Sequence, residues 1–250
     1  MEEHATPETV KPFSFTEKLA GIFAAPGELF ENVRQTGKTP GNWVVPSIIF
    51  IIVAILMGQL MLTNASLVDQ LGAMMRTGID EAVAKGSMTA EQAEQAAAFM
   101  KPDSMIFRIQ QVAGIVIITP IALFLLSLVY WLLGKWGMNA TAPYMKVVEI
   151  AGLTMFITCL ESIVTTLLMF AMDSLFATPS LGLFVTDFDI QNKLHAALAK
   201  VNIFTIWDLA VVSIGLSKLF QRDLPKVLVL VFALWLVWSV FTVLTGIRLG

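Results

Sequence analysis

Apolar residues gather along this chain in five long blocks, and the polar positions inside and between them decide how each block reads. Between Lys38 and Asp69 lie 30 consecutive uncharged residues, between Arg108 and Lys135 there are 26, and between Lys226 and Arg248 there are 21. A helix rising about 1.5 Å per residue needs about 20 such residues to cross hydrocarbon, so these blocks predict three transmembrane helices. Two further blocks carry acids: 147–172 contains Glu149 and Glu161, and 201–217 contains Asp208. A central acid costs roughly 2.5–3.5 kcal/mol on insertion, while each Leu, Ile, Phe or Val returns about 0.3–0.6. The apolar remainder offsets one such acid, so both blocks read as spans. The expected fold is all-α, a polytopic bundle over 42–247 with spans at about 43–63, 108–134, 147–172, 201–219 and 227–247.

The segments between the blocks have their own periodicity. Residues 1–13 show none and read as a disordered cytoplasmic tail. Ser14 with Glu17 fits a capping box. Leu19, Ile22 and Phe23 then form one apolar face, Pro26 restarts a helix at its first position, and Leu29, Phe30 and Val33 continue the face. This predicts a broken amphipathic helix over 14–36, lying on the inner membrane surface or docked on the inner ends of the bundle. The loop after the first span is too long to be structureless. Leu67, Leu71, Met74, Met75, Ile79 and Val83 recur at helical spacing up to Gly86, and Thr89 with Gln92 opens a second helix. An outer helical hairpin over 66–100 follows. In 173–200, an apolar stretch too short to span suggests an interfacial or re-entrant piece, and 189–199 suggests a helix leading into the fourth span.

Charge placement suggests an orientation. Residues 1–41 hold six acids and four bases without an apolar core, which is no signal peptide; the first span is expected to act as an uncleaved anchor. With the N-terminus inside, nine Lys and Arg fall inside and seven outside. The short connections around 135–146 and 218–226 hold bases near span ends, with Asp223 their only acid. Trp43, Tyr130, Trp131, Trp136 and Tyr144 share that interface. The expectation is a bacterial cytoplasmic membrane with the N-terminus cytoplasmic and the C-terminus outside.

Composition narrows the function classes. AVILMFWYC residues form 56% of the 250-residue chain and charged residues only 14%, against roughly 25% charged in soluble domains, which excludes a soluble globular enzyme. Cys159 is the single cysteine, so no internal disulfide forms. A formal charge of −3 argues against a nucleic-acid partner. His4 and His195 lie outside the apolar runs, so no metal or other cofactor is expected. No GxSxG, HExxH, P-loop or CxxC motif occurs, and no nucleophile with a base is in evidence. Asn64-Ala65-Ser66 matches a glycosylation sequon, which is without meaning in a bacterium.

Ionisable groups at membrane depth are the remaining candidates for function. Thr154, Thr158, Glu161 and Thr165 share one stripe of the third span. Counted from the outer ends, Glu161 lies about 16 Å deep and Asp208 about 9–11 Å deep, and Gln110 and Gln111 follow Arg108 into the same half. The expected grouping is a buried polar cluster of Arg108, Gln111, Glu161 and Asp208, with Thr158 and Thr165 beside it. It could join helices two, three and four structurally, form a substrate or proton pathway, or meet lipid headgroups. Glu149, three residues after Lys146, reads as interfacial.

Three stretches carry a likeness to a known family. "GIFAAPGELFENV" preceding "WVVPSIIF" (21–50) puts a Pro before the membrane and a second Pro at the opening of the first span. "GKWGMNATAPYMKVVEIAGL" (134–153) is a Gly-rich turn into the third span, and "FTIWDLAVVSIGLSKLF" (204–220) puts Trp and then Gly-Leu in the fourth. In this order the sequence resembles the Yip (Ypt-interacting protein) domain family of five-span membrane proteins, particularly its bacterial members, over roughly 16–247. Eukaryotic relatives are associated with Golgi and endoplasmic-reticulum traffic and with Rab-type GTPases. Their Asp-Leu-Tyr-Gly-Pro signature before the first span is missing here, so the resemblance does not support GTPase binding. The leading expectation is a non-enzymatic scaffold or accessory subunit that recruits partners through the N-terminal helix, the hairpin or both, its partners being the lipid bilayer and other membrane proteins or copies of itself. The rival expectation is a small permease or lipid-handling protein using Glu161 and Asp208.

Overall fold

A computed structural model describes residues 10–246; most of the expected tail and the last residue of the expected fifth span lie outside the described residues. Among the described residues there are ten α-helices: α1 (Phe15–Ala24), α2 (Pro26–Gln35), α3 (Gly41–Met61), α4 (Ala65–Ala84), α5 (Ala90–Phe99), α6 (Met105–Leu132), α7 (Tyr144–Met172), α8 (Lys193–Lys200), α9 (Ile203–Phe220) and α10 (Leu224–Thr245). Helix α6 runs on into a π-helical turn at Leu133–Gly137. Helices α3, α6, α7, α9 and α10 are long and apolar enough to cross a membrane. They leave large apolar side chains such as Ile52, Leu56, Ile118, Leu125 and Val237 exposed on the protein surface, which is the arrangement lipid rather than water accommodates.

The chain packs as two compact units, the first comprising the described residues to Ser47 with Leu123–Ile157 and Trp207–Trp235, the second the remainder. The first unit contains the N-terminal helices. Ser14 caps α1 through a complete capping box with Glu17, and the Ser14 hydroxyl and amide hold the Glu17 carboxyl below its ordinary pKa. Leu29 and Phe30 of α2 and Ile22 of α1 are fully enclosed by protein, and Leu19 is half-buried. Of the face expected to lie on the membrane surface or dock on the bundle, Ile22, Leu29 and Phe30 are spent on packing, whereas Phe23 stays partly exposed against Trp207, 5.6 Å away between ring centroids. Phe30 finds its place because Gly215 of α9 presents no side chain. A Cβ there would come within 3.1 Å of the Phe30 ring and 2.6 Å of Ile150. The chain just before α1 is tied down too: buried Asn32 accepts from the Phe13 amide and donates to the Lys11 carbonyl.

Helix α9 ends in a turn whose geometry carries a local cost. The Arg222 amide reaches back to the Ser217 carbonyl, 3.1 Å, with Gln221 at φ +52. This is the six-to-one closure of a Schellman turn, whose left-handed position usually holds glycine. Gln221→Gly is expected to raise stability by about 1 kcal/mol by removing the left-handed penalty on a Cβ-bearing residue, read as a higher midpoint in thermal unfolding of the detergent-solubilised protein. An unchanged or lower midpoint would show that the Gln221 side chain repays its strained backbone.

The second unit contains the hairpin. Asn64 caps α4 by accepting from the Ser66 and Leu67 amides, and Thr89 with Gln92 forms the capping box of α5. The Asn64 of the sequon is thus a helix cap. Gln70 of α4 holds the end of α7: its amide donates to the Asp173 carbonyl at 2.8 Å, and its carbonyl accepts from the Leu175 amide. No residue of α5 is buried. The segment after α7 makes a short 3-10 turn, Leu181–Phe184, and pairs with the start of α9 through an antiparallel bridge between Ser180 and Asn202. Phe184 there is 81% exposed. The helix expected over 189–199 is α8, capped by Asn192.

Candidate functional site

The densest polar arrangement in the first unit grows from the beginning of α7. Lys146 and Glu149 stand one turn apart, so their side chains share a face, and both are buried, at 5% and 1% exposure. Burying two charges costs several kcal/mol per ion unless every proton and lone pair is met. Here they are met. The Lys146 ammonium donates to the Val33 carbonyl (2.7 Å), the Gly37 carbonyl (2.8 Å) and Glu149 Oε2 (3.1 Å). Glu149 Oε1 accepts from the Thr39 amide (3.0 Å), and Oε2 also accepts from Asn42 Nδ2 (2.8 Å).

The chemistry of this arrangement is that of a clasp. Helix α2 ends at Gln35, where orphan carbonyls need partners. Lys146 supplies one to Val33 and, as a cation at a helix C-terminus, meets the negative end of the dipole. Glu149 then grips the loop and the first turn of α3. Lys18 of α1 lies close enough to feel both charges; its own burial pushes its pKa down, with Glu149 opposing and Lys146 adding to the fall. Glu149 is thus enclosed by protein rather than set at a wet interface, because its partners come from more than 100 residues earlier in the chain. The Lys-x-x-Glu spacing places the two side chains on one face but carries no signal of the distant partners that enclose them.

The expected cluster is distributed as follows. In the second unit Arg108 donates to Gln59 Oε1 (3.1 Å) and to the Leu62 carbonyl (3.3 Å), while Gln59 Nε2 donates to Gln111 Oε1 (2.8 Å). Arg108 and Gln111 are thus joined through Gln59, a polar residue in the first span that charge counting passes over. Glu161, half-buried, accepts from Asn202 Nδ2 at 2.7 Å. Asn202 also accepts from the Phe204 amide (2.8 Å) and so caps α9. An Asn just before an apolar run is a legible cap signal. Thr158 and Thr165 are half-buried on α7. Asp208, also half-buried, belongs to the first unit, where it bears electrostatically on the enclosed Tyr130 of α6. Among the described residues no group of three or more His, Cys, Asp or Glu could hold a metal ion.

The family model of the Yip1 domain matches residues 20–246. The membrane protein YknW of Bacillus subtilis (strain 168) is 27% identical over 221 residues, which covers 87% of this chain and 83% of that protein. No solved structure matches the chain. With five membrane-length helices and a family match over nearly its whole length, the chain is an integral membrane protein that belongs to the Yip1 domain family.

Proposed function

We propose that the protein is a non-enzymatic scaffold or accessory subunit of a bacterial cytoplasmic membrane, with its N-terminus on the cytoplasmic side. It organises membrane partners through the N-terminal helices, the α4–α5 hairpin, or both. The observation that carries this reading is that the Lys146 ammonium is saturated within the clasp. A charge that turns over a substrate keeps a coordination position open for it, whereas all three ammonium protons of Lys146 have named acceptors inside the protein. Such a pair fixes α2, the loop to α3 and the first turn of α3 as a preformed surface, and preorganisation lowers the ordering cost of binding a partner. Helix α5, with no buried residue, offers a second surface.

The test is purification in mild detergent followed by identification of co-eluting proteins, run beside a solute-flux assay in vesicles, on the wild type and on Glu161→Gln/Asp208→Asn. The expected result is a membrane protein co-eluting in fixed stoichiometry with both forms, the double substitution costing only stability. Solute flux that depends on Glu161 and Asp208, with no stoichiometric protein partner, would overturn the proposal in favour of a permease.

A further inference from the structure

The turn between α9 and α10 forms, with α2, an open cleft of about 450 Å³ in the first unit. Its charged lining is Arg34, Lys218 and Arg222 against Glu31 and Asp223, with Ile214 and Leu224 supplying apolar wall. Two of the five charges are already committed to one another, since Arg34 forms an ion pair with Glu31 through two guanidinium nitrogens. Arg222 is held differently. Its guanidinium donates to the Met138, Asn139 and Gln221 carbonyls, neutral acceptors that orient the cation without cancelling it. The Schellman closure and the Ser217 hydroxyl bonded to the Arg222 carbonyl at 2.6 Å fix its backbone. Lys218, exposed on the last turn of α9, bears electrostatically on Glu31 across the cleft. Three cations therefore face two carboxylates, and the surplus positive charge is concentrated at Lys218 and Arg222.

We propose that this cleft is a binding site for an anionic phosphate ester, the headgroup of an anionic phospholipid. The surplus matches the single negative charge of a phosphodiester, and Arg with Lys is the pairing that phosphate recognition uses. The site lies where α9 ends and α10 begins, both of membrane-spanning length, and basic pockets at the ends of membrane helices are placed to take headgroups from the adjoining leaflet. The Ile214 and Leu224 side suits the glycerol and first methylenes of a lipid, and the charged side its phosphate.

The full chain in neutral detergent is titrated with phosphatidylglycerol, with phosphatidylcholine, and with glycerol 3-phosphate. Retained ligand is read by native mass spectrometry and affinity by thermal shift. Expected is saturable, one-to-one binding of phosphatidylglycerol, at least fivefold tighter than phosphatidylcholine. Lys218→Gln, an exposed change, should weaken it at least fivefold, and Lys226→Gln, outside the cleft lining, should leave it unchanged. Glycerol 3-phosphate binding as tightly as the lipid, with the same loss in Lys218→Gln, supports the same site with a soluble phosphate ester as its source. Equal phosphatidylglycerol binding by the wild type and Lys218→Gln, or equal losses in Lys218→Gln and Lys226→Gln, overturns the site, the latter by showing a diffuse attraction of surface charge.

Discussion

Lys146→Met is expected to destabilise the detergent-solubilised protein by about 3–5 kcal/mol, because it strands the Glu149 carboxylate in a dry interior. Glu149→Leu should cost a similar amount: it strands the ammonium and removes the acceptor of the Thr39 amide and the Asn42 side chain. The double substitution Lys146→Met/Glu149→Leu should be less destabilising than either single one, since an apolar pair of similar volume leaves no buried charge. Some loss remains, from Thr39 and Asn42. The measurement is a double-mutant cycle from denaturant or thermal unfolding in detergent. Single substitutions costing less than about 1 kcal/mol would mean that water reaches the pair, as it does in exposed ion pairs, and the clasp would then hold nothing in place.

This clasp also shows where reading the chain stops. Features set by neighbours in sequence were legible. The five apolar blocks give five membrane-length helices, and Ser14 with Glu17 and Thr89 with Gln92 form the capping boxes their spacing predicts. Features set by distant partners were not. A Lys and a Glu one turn apart look alike whether solvated or enclosed, and what encloses this pair is Val33, Gly37, Thr39 and Asn42. The N-terminal face is a case between the two. Ile22, Leu29 and Phe30 are apolar at helical spacing, which tells that the face must be covered without telling whether lipid or protein covers it. Gly215, whose missing side chain admits Phe30, is decisive only once α2 and α9 are known to meet. Gln59 and Asn202 went unread for another reason, being uncharged and so absent from a count of ionisable groups, although they hold Arg108 and Glu161.

Gly152→Ala is expected to cost about 1–3 kcal/mol, the range for overpacking a filled interior. A Cβ at Gly152 of α7 would come within 2.5 Å of the Trp43 Cα and 2.9 Å of the Asn42 carbonyl. These are main-chain atoms, which no rotamer change can move aside, so α3 must shift bodily from α7. The shift would reach the Trp43 ring, packed edge-on against Phe124 at 5.2 Å, and Asn42, whose side chain donates to Glu149. Gly152 and Glu149 are therefore coupled through one residue. Gly152→Ala combined with Glu149→Leu should destabilise by less than the sum of the two, because the bond strained by the first is already absent in the second. Gly114→Ala in α6 serves as the control: nothing lies within 4 Å of its added Cβ, and alanine in place of a helical glycine should be neutral or stabilise by up to about 1 kcal/mol. Thermal unfolding of the four variants checks this. Strict additivity between positions 149 and 152 would show that α3 yields without disturbing Asn42, and the clasp and the glycine contact would then be two separate supports of the same helix.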